Sequence, residues 1–189
     1  AGGLVTRDPE HRIRYLVVTT RSPEEIDCNE SEVISHAGSG LTGNGEVIAV
    51  YDVVLKDGCL ESFSFHDNAP ENPVGRLWYA YLETASNSPW YNNQAYLNTL
   101  DKKAVERFIE ETHQKYFEKM GSYFGKQVPA IFTDEPQFSP KQFLPFADSE
   151  TNINIPYTDD FDASFKDTWG VGFLVNLPRL IWQLPENKP

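Results

Sequence analysis

The sequence predicts an α/β fold, on three observations. Two near-continuous apolar runs, Leu77-Trp78-Tyr79-Ala80-Tyr81-Leu82-Glu83 and Val128-Pro129-Ala130-Ile131-Phe132-Thr133-Asp134-Glu135-Pro136, read as strands buried on both faces. Between them lies the best helical period of the chain, from Asp101 to Met120. Strand, helix and strand in that order make one βαβ unit, right-handed and with its strands parallel.

Ahead of that unit, Tyr15-Leu16-Val17-Val18-Thr19-Thr20 is β-branched and aromatic and reads as a strand. Glu32-Val33-Ile34-Ser35 fits a short strand, and the glycine run from Gly38 to Gly45 fits a long turn. That run lacks the lysine and the strand-to-helix setting of a phosphate-binding loop. Val47–Leu55 and Cys59–Phe65 are joined by Lys56-Asp57-Gly58, a hairpin signal. Residues 1–68 are therefore expected to be a β-rich, antiparallel segment, and residues 69–189 to carry the βαβ unit, together in one compact body.

In the helix, Asp101 is the expected N-cap. Val105, Phe108, Ile109, Thr112, Tyr116 and Met120 share a face, and Glu106, Arg107, Glu110, Glu111 and Lys115 lie off it. Gly121 is placed to end it, and His113 reads as structural. Both apolar runs end in a carboxylate. Glu135 precedes a proline, which holds it extended, and Pro136 has no amide hydrogen with which to continue pairing. Glu83 and Glu135 are thus expected at one rim, at the C-terminal ends of parallel strands, where α/β proteins place their chemistry. Asp134 and Glu135 also fit a plain solvated strand end. Beyond Pro140 no period is clear until Asp160, which can cap a helix from Phe161 to Trp169 with Gly170 behind it; a further helical patch, Phe173–Trp182, is interrupted by Pro178.

Sixteen basic against 28 acidic residues give a net charge of −12. That balance argues against nucleic acid or an anionic membrane surface as a partner, since no basic patch exists to displace counterions. No apolar run is long enough to span a bilayer. The chain opens at Ala1-Gly2-Gly3 with no targeting segment, which leaves its compartment open. Cys28 and Cys59 fit either one disulfide or two thiols and form no metal signature.

Two carboxylates on one rim, among Trp78, Tyr79, Tyr81, Trp90, Tyr91, Tyr96, Phe138 and Tyr157, suggest a sugar site, although about half of such aromatics serve as core. Flat rings stack on the C–H faces of pyranoses. Glycoside cleavage needs one carboxyl to protonate the leaving oxygen and a second to attack or to activate water. For that acid, partial desolvation among aromatics would raise the pKa toward working pH, and Glu135 is the candidate because its backbone is the most constrained.

Residues 98–113 (NTLDKKAVERFIEETH), Tyr116, Gly121, Tyr123-Phe124-Gly125 and Ile131–Pro136 resemble large glycosidases related to α-L-rhamnosidases, whose pattern runs "AVERFIE-TH--Y", "FG", "FTDEP". Ile155–Phe161 and Phe165–Gly170 resemble the same family's "PWTDD…F…G" segment. The resemblance covers roughly Leu77 to Leu180. It implies part of a (β/α)8 TIM-type barrel with a small antiparallel β insertion near residues 30–65. It also implies that Asp134 and Glu135 lie in the substrate pocket, Glu135 as acid/base, and that Asn98 and Tyr157 fall at substrate contacts; Glu83, Tyr81 and Trp90 are expected contacts from the rim and its aromatics alone. Asn98 stands where the family carries an aspartate, and Tyr157 where it carries a tryptophan, so contacts to the sugar differ there.

A complete barrel needs about 250 residues. The chain is accordingly expected to be part of a glycoside hydrolase catalytic region, inactive or nearly so alone, with its second carboxylate on a later strand. Some relatives hold calcium near the sugar, and Asp134, Asp159 and Asp160 would supply oxygens, without calcium-loop spacing. No other cofactor is expected. A secreted or periplasmic parent, and self-association that covers open strand edges, complete the expectations. The alternative is a non-catalytic carbohydrate-binding or structural α/β domain.

Overall fold

The computed structural model of the chain describes residues 3–26, 40–132 and 134–185. In order, α1 (Leu4–Arg7) leads into β1 (Arg14–Thr19), and β2 (Glu46–Lys56) and β3 (Cys59–His66) follow as a hairpin. Next comes β4 (Arg76–Thr84), then a loop with a 3-10 turn at Pro89–Tyr91. Helices α2 (Lys102–Ile109) and α3 (Lys115–Met120) are joined by a π-turn at Glu110–Gln114, and β5 (Ile153–Tyr157) precedes α4 (Phe161–Trp169), α5 (Phe173–Asn176) and α6 (Pro178–Ile181).

The five strands form one sheet in the order β3-β2-β4-β1-β5, and every neighbouring pair is antiparallel. This corrects the expected α/β class and its partial (β/α)8 barrel: among the described residues strands and helices do not alternate, and no paired strands run parallel. The β4 neighbours are β2 and β1, not the 128–135 run. The described residues of that run form no strand. Val128 forms an isolated bridge to Phe124 inside a tight turn, and the described residues from Pro129 to Pro136 adopt no regular structure. Two prolines, Pro129 and Pro136, remove ladder donors from a nine-residue stretch, which is enough to keep it out of a sheet interior. Strands from both sides of residue 68 interleave, since β1 lies between β4 and β5.

The hairpin forms as expected. Asp57 and Gly58 both have positive φ (52° and 76°), as a two-residue turn that follows the strand twist requires. Alternation along the strands gives the sheet two apolar faces. Leu16, Val18, Tyr51, Trp78, Ala80, Ile155 and Tyr157 point to one, which is covered by Phe173, Leu177 and Trp182 of the C-terminal helices and the residue after them. Tyr15, Val17, Val50, Tyr79 and Tyr81 point to the other, under Ile13, Leu41 and Ala85. Trp78 meets Trp182 edge to face at 5.1 Å, and Tyr51 Oη donates to Leu174 O at 2.8 Å, fastening the helices to the first face.

Two of the expected helix caps form, whereas Asp160 precedes α4 without a side-chain cap hydrogen bond. The Asp101 carboxylate accepts from Lys103 N at 2.9 Å, and Gly170 closes α4 at φ 74°. Both sheet edges are partly met from within the chain. Gln142 N donates to Asn154 O (2.9 Å) beside β5, and Leu60 N of β3 donates to Gln183 O (2.8 Å). Cys59 carries a free thiol, while Cys28, the expected strand Glu32–Ser35, the start of the glycine run and Thr133 lie outside the described residues. No helix among the described residues is long and apolar enough to cross a membrane.

Candidate functional site

Because β1 is antiparallel to both of its neighbours, the C-terminal ends of β4 and β5 meet the start of β1 at one rim: Arg14 is opposite Thr84 on one side and Tyr157 on the other. The loop after β4 turns back along residues 11–13. Ile13 N donates to Tyr96 O (3.1 Å) and Asn98 N to His11 O (2.8 Å). That fold-back carries Asn98 to the end of β5, where its Nδ2 donates to Thr158 Oγ1 at 3.1 Å while Leu100 N donates to its Oδ1 at 3.2 Å. One residue on, Thr99 Oγ1 donates to Gln137 O at 2.6 Å, which anchors the chain just past Glu135. Arg14 Nη1 pairs with Asp159 at the same rim. Three segments far apart in sequence, 98–101, 134–137 and 157–160, are thereby tied together.

The side chains expected to act there divide into two groups. Glu135 is exposed, and the Asp134 carboxylate accepts from its backbone N–H at 2.8 Å. The expectation that a buried strand would hold Glu135 at a parallel-strand rim is corrected, because that strand does not form. Trp90 is also open, 68% exposed on the 3-10 turn that Ser88 caps by accepting from Trp90 N at 3.2 Å.

Glu83, Tyr81, Asn98 and Tyr157 are buried. Tyr81 lies in the second core face with its Oη donating to Arg21 O (3.0 Å). Tyr157 packs on Phe161 and Phe173, with centroids at 5.6 and 6.3 Å. Both rings are core, with no open face for a sugar. Glu83 projects onto the second face, where Thr42 donates to it from N (3.0 Å) and Oγ1 (2.5 Å) and Gly45 from its backbone. Burial pushes its pKa above the ordinary carboxylate value, against the lowering effect of those three donors. Glu83 therefore organises the 42–45 turn instead of facing a ligand, and it does not share a site with Glu135.

Sequence reasoning missed Thr42, Thr99, Gln137 and Thr158. The signal for Thr158 was present in the polar Tyr-Thr-Asp-Asp run, but nothing local pairs it with Asn98. Two further nitrogens in this strip, His11 Nδ1 and Arg14 Nε, are occluded and have no partner. Among the described residues no three His, Cys, Asp or Glu side chains come together to hold a metal ion. An apolar hollow of about 300 Å³ near the rim lies between Phe138, Phe143 and Leu144 on one side and Ile155, Phe161 and Leu177 on the other.

No protein-family model matches the chain, and neither a curated protein nor a solved structure matches it. No family is assigned.

Proposed function

We propose that this chain is the sugar-binding part of a glycoside hydrolase related to α-L-rhamnosidases, docking its ligand at the rim shared by β4, β1 and β5. The observation that carries the reading is the pair of side-chain hydrogen bonds Asn98–Thr158 and Thr99–Gln137, which join the three segments on which the resemblance rests. Around that junction stand the exposed acids Asp134, Glu135, Asp159 and Asp160. Trp90, on the same loop as Asn98, is 68% exposed and is the aromatic side chain of this reading. Carboxylates bridging hydroxyls beside a flat aromatic face are the chemistry of saccharide recognition, and Glu135 is the acid of this reading.

General-acid catalysis asks for a carboxyl enclosed enough to hold its proton near working pH. Glu135 stands open to solvent, so the chain alone is expected to bind sugar without turning it over. That exposure favours the second reading, a carbohydrate-binding role without chemistry.

Titration with L-rhamnose and rhamno-oligosaccharides, followed by tryptophan fluorescence, tests the proposal. A saturable change that disappears in Trp90→Ala supports it, and no saturable change with any saccharide overturns it. A cationic iminosugar separates the two readings. Glycosidase carboxylates favour developing positive charge at the anomeric centre, so a preference for the cation that is lost in Glu135→Gln supports the hydrolase. Equal binding of cation and neutral sugar supports binding alone.

A further inference from the structure

The helix from Lys102 to Met120 and the segment after it carry a broad apolar surface that nothing among the described residues covers. Eight large side chains between residues 102 and 132 are 39–88% exposed, among them Tyr116, Phe117, Ile131 and Phe132. The surface is continuous. Tyr116 and Met120 on the helix, and Phe124, Val128 and Ile131 beyond it, line one groove of about 360 Å³, and Phe117 packs edge to face on Phe124 at 6.0 Å. Arg107 on Asp8 (3.1 Å) and Glu111 on Arg7 (3.2 Å) tie the first half of the helix to the N-terminal segment.

We propose that a second copy of this chain covers this surface, in a two-fold symmetric dimer. Area is the first argument. Large apolar side chains present roughly 200 Å² each when free, so eight of them about half exposed offer on the order of 800 Å², the contribution per partner of a standard stable interface. Solitary soluble domains seldom leave so large a patch uncovered.

Charge is the second argument. Residues 102–132 carry six basic and four acidic side chains, whereas the whole chain carries 16 and 28. This is the part of an acidic molecule that can approach its own copy without like-charge repulsion. Much of that charge is already paired along the helix, as Lys102–Glu106 and Lys115–Glu111.

Shape is the third. Phe132, 88% exposed, stands next to Ile131, which helps to line the groove. A knob beside a hole is self-complementary under a two-fold axis, so Phe132 of each copy enters the groove of the other. The sheet edges are already capped in part from within the chain.

Sedimentation velocity over a range of protein concentrations tests this. The expected result is a reversible dimer whose dissociation constant rises about a hundredfold or more in Phe132→Glu and in Phe117→Glu, since each places a charge in an apolar contact. The control Trp169→Glu, an exposed ring off this surface, should dimerise as the wild type does, with circular dichroism confirming that every variant is folded. A wild-type monomer at all concentrations overturns the proposal. So does a dimer that survives both substitutions, which would place the contact at a strand edge, or a monomer that takes up detergent micelles through this face.

Discussion

Thr42 gives both of its donors, backbone N–H and hydroxyl, to the carboxylate of Glu83. The contact is so close that a Cβ on Gly45 would lie 2.6 Å from Glu83 Cδ, so only glycine fits at the third donor. A charge removed from water in this way costs stability unless its donors compensate fully. The raised pKa says that burial outweighs them. With the folded-state pKa above the unfolded one, the contribution of Glu83 to stability is fully present below the ordinary glutamate range and is lost as pH rises through the folded value. In Glu83→Gln the oxygen can still accept from Thr42 N and the amide can donate to Thr42 Oγ1. Urea unfolding as a function of pH should therefore show a flatter profile from mildly acidic to neutral pH in Glu83→Gln than in the wild type.

Asp52 makes the opposite use of a buried carboxylate. From the middle of β2 it accepts from Val74 N (2.7 Å) and Gly75 N (2.6 Å), fixing the turn that starts β4. Asp52→Ala leaves two amides without a partner, and each costs about 1–3 kcal/mol. Denaturant midpoints should fall accordingly, with an unchanged slope.

Gly75 is confined by packing. A Cβ there would stand 2.1 Å from Val53 O, a backbone atom that cannot turn aside. Gly75→Ala should destabilise the protein by about 1–3 kcal/mol, as overpacking does, and lower Tm by roughly 2–4 °C for each kcal/mol. The same change at Gly58 meets no atom within 4 Å but forces alanine to φ 76°, so about 1–2 kcal/mol is expected there.

Glu111 links the helix to the N-terminal segment. Lys115 (2.7 Å) first and then Arg7 (3.2 Å) hold its pKa down to about 2, with Arg107 at 2.9 Å adding to the effect. Its folded pKa lies below the unfolded value of about 4.5, so its contribution is present above pH 4.5 and lost as pH falls toward 2. These pairs are solvent-screened, and the effect is local. Protection factors of the amides in residues 102–120, taken relative to the intrinsic exchange rate at each pH, should fall through that acid window in the wild type, and Glu111→Gln should show the lower protection already at neutral pH.

Local signals account for much of the β content. Asp57-Gly58, the alternating run of β2 and the cap at Asp101 each act within a few residues, and each formed as read. What failed was the partner of β4. Apolar content made Val128–Glu135 look like a buried strand, yet Pro129 and Pro136 deny it the donors that a central position demands. The strand that does lie in that direction, Ile153–Tyr157, alternates cleanly but carries Pro156, which an edge strand tolerates. Edge or centre is a property of the whole sheet and leaves no local mark. For the same reason Glu83 read as a rim acid: its capture by Thr42 depends on a turn 41 residues earlier closing over it. Exposure of Trp90 and burial of Tyr81 and Tyr157 likewise follow from which face each strand presents, and that was settled by a topology the sequence did not reveal.

The indole and carboxamide resonances of the labelled protein test most directly whether sugar docks at the rim of β4, β1 and β5. Two of the four tryptophans, Trp78 and Trp182, are core, and Trp169 is exposed on α4, so Trp90 alone reports from the loop beside Asn98. On addition of L-rhamnose or its oligomers, saturable shifts at the Trp90 indole and the Asn98 carboxamide, with Trp169 unmoved, are the predicted result. Shifts confined to Trp169, or none at saturating sugar, would contradict it.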